Sequence, residues 1–417
     1  MRVLLVTQYF WPENFRINDL AKELVGRGHE VTVLTGKPNY PSGRVFDDFK
    51  AAPSTFGEYF GASVCRVPML ARGSGAIRLM LNYLSFVVGA SIFGATRLSG
   101  RQFDVVFVFE PSPITVGLPA ILLGKLKRAP VILWVQDLWP DTLVAVNAVK
   151  SRVLLAAVGS MVRFIYQRCA LVLGQSHGFL DRIAVYCDDP SKIRYFPNWA
   201  EEAPASEDAT PAAEVPSPDG MFDILFAGNI GEAQDFPAIL GAIELLRHRG
   251  EIRWIIVGDG RRSDWLRAEV ATRGLDRCVL ILGRFPVDRM PSFYARADAL
   301  LVSLKADPVF ALTVPSKIQS YLMAGVPMLG MLDGEGAAVI RAANAGLTCA
   351  AGDSAGLARA VLELSEMQRS RRIALGGNGR RYAEREFGRT VLVDRLEGWL
   401  LQLVRERAVM ERPRKSQ

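Results

Sequence analysis

The sequence predicts an α/β protein of two doubly wound, Rossmann-like domains. Short runs of Val, Ile and Leu alternate with segments of helical period over residues 1–199, and the same alternation restarts over 221–387. Between them lies 200–220 (AEEAPASEDATPAAEVPSPDG), too rich in Ala, Pro, Ser and acids to bury much surface. The length of 417 residues suits two or three domains at ~100–200 residues each.

The elements follow in order. Val3–Thr7 reads as a buried strand ended by the turn at Pro12. Residues 16–27 place Ile17, Leu20, Ala21 and Leu24 on one helical face, and Gly28-His29-Glu30 turns into a strand over 31–35. Further buried strands are expected at 105–109, 131–135 and 170–173. Such short apolar runs separated by helices predict a parallel sheet covered on both faces. In the second half, strands are expected at 223–227, 254–257, 279–282, 299–302 and 327–330. Helices are expected at 237–249, 263–273, 290–296, 316–324 and 336–345. Residues 371–406 read as one long helix, whose end, about 388–417, is expected to pack back on the first domain. In open α/β sheets ligands bind beyond the carboxyl ends of the strands, so two such domains facing across a crevice suit group transfer between two ligands.

Composition narrows the class. Half of the residues are hydrophobic and 22% are charged, which excludes a disordered or fibrous chain. Five widely spaced cysteines with no C-x-x-C argue against a disulfide scaffold or zinc ribbon and fit a reducing cytoplasm. Three histidines leave little for a His-rich metal site. Residues 1–200 hold 22 Lys+Arg against 14 Asp+Glu, so the basic excess lies in the N-terminal half, where it attracts nucleic acid, anionic lipid or phosphorylated substrate. The longest apolar stretch is 79–96, flanked by Arg78 and Arg97, with a weaker basic-apolar segment at 150–174. The first stretch reads as a buried helix, a helix lying on a membrane surface or a marginal span.

The motifs favour some chemistries over others. No G-x-G-x-x-G follows the first strand and no G-x-x-x-x-G-K-[ST] occurs, which disfavours nicotinamide and P-loop chemistry. No D-x-D occurs, so a metal clamp on a diphosphate has no obvious carboxylate pair, and no metal ligand set is expected. A departing diphosphate would then meet backbone amides, helix N-termini, Lys or Arg. Gly228, Asn229 and Gly231 follow the second domain's first strand, Gly258 ends the next and Arg284 a third, small residues that either admit an anion or simply make tight turns. Pro315-Ser316-Lys317 opens a helix, with Ser316 or its neighbour as cap. A lysine in a first turn opposes the helix dipole, so Lys317 points to a nearby anion or is merely solvated. In the first domain Asp137 ends the strand at 131–135, as a site acid or a turn cap. Glu13, Asn14 and Arg16 sit at the first strand's tip, Arg16 as a phosphate clamp or a plain surface residue.

Taken jointly, these pieces resemble family 4 glycosyltransferases of the GT-B fold. The likeness rests on 8–13 (QYFWPE), 27–35, 38–43, 137–140 (DLWP), 197–199, 228–231 with Gln234, 258–260, 315–317 and 321–327 (YLMAGVP), in the expected order. It is greatest to bacterial O-antigen and capsule enzymes that transfer N-acetylfucosamine or a related sugar. The resemblance implies a metal-independent, retaining transfer from a UDP-sugar, with no separate cofactor. The C-terminal domain would hold the nucleotide, with Lys317 against the diphosphate and Arg284 near the uracil. The N-terminal domain would hold a polyprenyl-diphosphate-linked saccharide, with Asp137 orienting its hydroxyl. The expected location is the cytoplasmic face of the inner membrane, peripherally bound, with no nucleic-acid partner. The family's two glutamates, eight residues apart, are replaced here by Leu312 and Ser320, leaving Asp307 or Glu335 as substitutes. A UDP-sugar 2-epimerase of the same fold and a catalytically silent partner subunit are the rival readings.

Overall fold

The computed structural model describes every residue except 74, 146–148, 150, 202–208, 217–219 and 411–417. The chain forms two compact units, Met1–Pro197 with Val393–Gln417, and Asn198–Leu392.

The first unit is built on eight strands: β1 (Arg2–Val6), β2 (Glu30–Thr35), β3 (Glu58–Tyr59), β4 (Ala62–Arg66), β5 (Val105–Glu110), β6 (Val131–Val135), β7 (Leu171–Gly174) and β8 (Ile193–Tyr195). Their order is β3-β4-β2-β1-β5-β6-β7-β8, parallel except for β3 against β4. The strand order reverses at β1, which lies between β2 and β5, and a ligand site is expected beside that switch point. Runs such as Val-Ile-Leu-Trp-Val in β6 are buried throughout, because helices cover both faces.

The second unit holds β9 (Phe222–Ala227), β10 (Ile252–Val257), β11 (Val279–Gly283), β12 (Ala299–Ser303), β13 (Met328–Met331) and β14 (Gly346–Cys349), all parallel in the order β11-β10-β9-β12-β13-β14. Here the order reverses at β9. One core cluster, with Leu225, Leu300, Tyr321 and Phe387, packs on one side of this sheet, and another, with Phe226, Ile239, Trp254 and Leu357, on the other.

Several expectations need correction. The strands β4, β8 and β14 and the helix Ser354–Glu366 were not anticipated. β4 and β14 carry Ser, Cys, Thr and Gly in place of a continuous Val/Ile run, so their apolar signal is weak. The long helix expected over 371–406 is two, Arg369–Phe387 and Arg389–Met410, because Gly388 is extended between them. The segment read as an exposed linker, 200–220, is partly packed on the second unit. Ala200, Ala212 and Val215 are buried, the Ala212 amide donates to the Ser292 carbonyl (2.9 Å), and Glu214 pairs with Arg289 (2.9 Å). The rest of that linker reading, at 202–208 and 217–219, lies outside the described residues.

The helix Arg389–Met410 packs on the first unit from Val393 onward. Val393, Leu396 and Leu400 recur every three or four residues and are buried. Trp399 meets the Phe196 ring edge-on (6.0 Å), and Arg27 reaches both Asp394 (2.5 Å) and Glu397 (2.9 Å). Those ion pairs are partly exposed and contribute little beside the apolar burial. Leu396→Ala is expected to destabilise the first unit by about 2–5 kcal/mol in urea unfolding. A loss under about 0.5 kcal/mol, the range of ordinary surface substitutions, would contradict that packing.

Candidate functional site

In the second unit a cavity of about 500 Å³ opens at the carboxyl ends of β9, β10 and β11. Gly228, Asn229, Gly258, Asp259, Gly260, Arg284 and Phe285 line it, with Met290 and Tyr294. The sequence brings the ends of β9 and β10 this close by having no side chains there. A Cβ on Gly258 would lie 1.8 Å from the Gly228 carbonyl oxygen, and one on Gly260 would lie 2.3 Å from that of Ile230. Gly228 (φ 138°) and Gly258 (φ 146°) also hold backbone conformations that L side chains rarely adopt.

Lys317 is set against this cavity by its helix, Ser316–Ala324. Ile318, Tyr321 and Leu322 bury one face of the helix. The Tyr321 hydroxyl accepts from the Ala227 amide (2.9 Å) and donates to the Ala227 carbonyl (3.1 Å), which fixes the helix to the end of β9. The Lys317 amine lies 3.7 Å from the centre of the Phe226 ring. The space it uses is the one Gly228 leaves open, since a Cβ there would meet Lys317 Cε at 2.4 Å. No carboxylate pairs with this amine among the described residues. Burial pushes its pKa down to about 7.

Two expectations change here. Ser316 does not cap the helix: Pro315 holds the N-cap position without a side-chain hydrogen bond, and the Ser316 carbonyl accepts from Ser320. The loop amides near 228–231 are also largely engaged. Gly228 donates to Val257 O (2.8 Å), Ile230 to Asp259 O (2.9 Å), Gly231 to Gln234 Oε1 (3.1 Å) and Gly258 to Gly283 O (2.7 Å). What remains for an anion is the uncapped helix start at Ser316, Lys317 and the exposed Arg284. Glu335 stands in the first turn of the helix Gly334–Ala342. That helix starts beside the other, for a Cβ on Gly336 would lie 3.3 Å from Pro315 Cδ. Asp307, the other substitute carboxylate, caps the short helix Pro308–Ala311 by accepting from Val309 (2.8 Å).

In the first unit, the carboxyl ends of β1, β5 and β6 gather aromatic and acidic side chains. Tyr9 stacks on Phe15 (5.5 Å) and tilts against Tyr40 (5.4 Å), while the Arg72 guanidinium lies over the Tyr40 ring (5.4 Å). Asp137 accepts from Trp139 Nε1 (3.1 Å) and from the Thr142 hydroxyl (2.5 Å), so it braces its own turn while remaining partly exposed. Glu13 is not placed to touch a ligand. It is buried, and its carboxylate accepts from the amides of Phe10 (3.1 Å), Asn39 (2.7 Å) and Tyr40 (2.7 Å). Asn14 is exposed, and Arg16 lies 3.9 Å from Asp19 in its own helix.

The sequence reading missed Arg72, Tyr83 and Glu110. Glu110 is fully buried at the end of β5, beside the strand that leads to Asp137. Burial raises its pKa well above the usual value, and the nearby Asp137 charge acts in the same direction, against the backbone amides of Asp137 and Gln136. The signal for it was an acid directly following the apolar run 105–109.

Glu13 generates a stability prediction. Glu13→Ala strands three backbone donors and is expected to cost on the order of 3 kcal/mol in urea unfolding. Stability equal to wild type would show that those amides find other acceptors.

Comparison with known proteins agrees with this architecture. A family model described as a glycosyl transferase 4-like domain matches residues 14–199, and one described as glycosyl transferases group 1 matches 222–367. The chain is 26% identical over 339 residues to the probable glycosyltransferase WbjE of Pseudomonas aeruginosa, covering 79% of this chain and 82% of that protein. It is 27% identical over 350 residues to WcaI of Escherichia coli K12, named for colanic acid biosynthesis, covering 78% and 82%. Among solved structures, Anabaena HepE in complex with UDP superposes with a TM-score of 0.68 at 14% identity, covering 96% of this chain and all of that one. The lipopolysaccharide glycosyltransferase WaaG gives 0.62 at 15%, covering 95% and 99%. The two family models account for most of the strands of both units, and the chain belongs to the family 4 glycosyltransferases, built on the GT-B fold.

Proposed function

We propose that this glycosyltransferase moves a sugar, an N-acetylated hexosamine or deoxyhexosamine, from a UDP-sugar to a polyprenyl-diphosphate-linked saccharide in the assembly of a bacterial surface polysaccharide. The observation that carries the donor reading is the Lys317 amine, held beside the glycine-lined cavity with no carboxylate partner among the described residues. The names of the relatives favour a polysaccharide pathway, and HepE was solved with UDP and with UDP-glucose. The basic first unit suits a lipid-carried acceptor at the inner face of the membrane.

In this reading the nucleotide lies along Gly228, Gly258 and Arg284. The diphosphate meets Lys317 and the open helix start at Ser316, whose dipole and amides favour an anion. Asn229, Gly231 and Pro315 shape that loop and helix start, and Glu335 faces the donor sugar. The bond between the sugar's anomeric carbon and the β-phosphate oxygen breaks, leaving oxocarbenium character on the sugar. The acceptor hydroxyl attacks from the face UDP leaves, giving retention, and its proton passes to the departing phosphate oxygen. Asp137 orients that hydroxyl as hydrogen-bond acceptor. Stabilising the leaving group supplies most of the rate, without a divalent ion.

Lys317→Ala is expected to lower kcat by about 10²–10³, the usual cost of one oxyanion-stabilising donor, with unfolding unchanged. Asp137→Asn should lower kcat/KM for the acceptor more than for the donor. Turnover within a few-fold of wild type for Lys317→Ala, or its abolition by chelators in wild type, would sink the scheme. Proton linkage gives a second test. The free amine titrates near 7, and a bound diphosphate favours its charged form. Above that pH, UDP binding must take up a proton, so affinity should fall with rising pH, by up to about tenfold per unit. Calorimetry in buffers of different ionisation enthalpy reads the uptake. An affinity independent of pH between 7 and 9 would place the diphosphate elsewhere.

A further inference from the structure

The first unit has a face that its own fold does not cover. The connections β4 to β5, β5 to β6 and β6 to β7 all step in one direction along the sheet. Right-handed crossovers therefore place their three helices on one side. These are the helix over Ile77–Arg97, Gly117–Lys127 and Arg152–Arg168, and each packs beside the next.

All three expose large apolar side chains. On the first, Ile77 (72% exposed), Met80, Leu84, Val88 and Ile92 follow the i, i+3/i+4 spacing of a single outward stripe. The second adds Leu122 and Leu126, and the third adds Val153 (81% exposed) and Leu154. None of the three contains an Asp or Glu, whereas Arg78, Lys125 and Arg152 carry exposed charges with no carboxylate partner among the described residues. Contiguous exposed apolar surface on a globular domain marks a docking site.

The charge pattern selects the occupant. A second copy of the chain meeting this face would set positive against positive. A nucleic acid would match the charge and leave the apolar stripe in water. An anionic bilayer surface satisfies both, the stripe entering the acyl boundary and the basic groups meeting headgroups. The inner side of the first helix excludes a transmembrane placement. Asn82 is buried, accepting from Gln8 Nε2 (2.7 Å) and donating to the Leu70 carbonyl (2.6 Å), and Phe86 and Ala90 lie in the core. The helix cannot leave the domain without losing these contacts.

We infer that the three helices form a face that docks in the plane of an anionic membrane, with the helix 77–97 as its principal anchor. The same helix supports the candidate acceptor end, for Tyr83, next to Asn82, meets the Trp139 ring edge-on (6.4 Å), and Trp139 donates to Asp137. Docking would thus hold that end of β6 at the level where a lipid-borne acceptor presents its sugar. This last step rests on the proposed function, whereas the docking does not.

Flotation of the full chain with vesicles of phosphatidylethanolamine and phosphatidylglycerol, against vesicles of phosphatidylcholine alone, tests it. Wild type should float with the anionic vesicles and be released by high salt. The outward-facing double substitution Leu84→Glu with Val88→Glu should weaken flotation at least about tenfold, and Arg78→Glu with Arg152→Glu should weaken it and flatten its salt dependence. Circular dichroism and UDP affinity of these variants should match wild type. Wild type that stays unbound to anionic vesicles would overturn the proposal. So would equal flotation of the Leu84/Val88 variant, or a dimer in sedimentation that this variant dissociates. Absence of UDP binding alongside intact flotation would count against the proposed function and leave the docking standing.

Discussion

The close packing of Lys317 against Phe226 and Gly228 sets the character of the glycine-lined cavity in the second unit. A cation held without a counter-charge is disfavoured by burial, and in a loose loop it would turn out to water. It stays because the helix bearing it is anchored through Ile318, Tyr321 and Leu322, and because Tyr321 grips both polar groups of Ala227. The glycines complete the arrangement. Gly228 makes room for the lysine, and Gly258 and Gly260 let their loop reach the backbone of Gly228 and Ile230. The position of the amine beside the cavity is thereby set by the protein's own packing, and in the proposed reaction such preorganisation would stabilise a leaving group without reorganisation.

The acidic side chains of the first unit divide by environment. Glu13 is ringed by three backbone donors and holds the loop after β1 to the segment at Asn39–Tyr40. Glu110 is fully buried beside Asp137, and that burial disfavours its charged form. Asp137 stays partly exposed, with two donors that orient it. Of the three, Asp137 alone is partly exposed to solvent, since Glu13 and Glu110 are buried. Burial and local donors, not residue type, set these roles.

The uncovered three-helix face adds a third constraint, since a soluble domain ordinarily alternates acids and bases over its surface. Here the three helices Ile77–Arg97, Gly117–Lys127 and Arg152–Arg168 carry no acid, and the apolar stripe of the first follows a single helical face. The buried Asn82–Gln8 hydrogen bond ties that face to the tip of β1.

The sequence by itself determined the fold class, the strand-and-helix alternation and the start and end of the helix 316–324. Those follow from local apolar periodicity and from the turn residues Pro315 and Gly325. It also singled out Lys317, because a cation in a first turn contradicts the helix dipole. Tertiary structure alone decided the rest. It withdrew Glu13 from the site, since the distant amides of Asn39 and Tyr40 converge on it together with that of Phe10. It engaged the amides of Gly228, Ile230 and Gly231 in loop contacts, and it brought Glu110, Arg72 and Tyr83 to the same strand ends as Asp137. It also broke the last helix at Gly388 and turned β4 and β14 into strands that their own sequences barely suggest. The Glu13 contacts, the strand pairing of β4 and β14 and the gathering at Asp137 depend on groups far apart in the chain, and hydrogen bonding and burial between such groups leave no periodic trace in the order of residues.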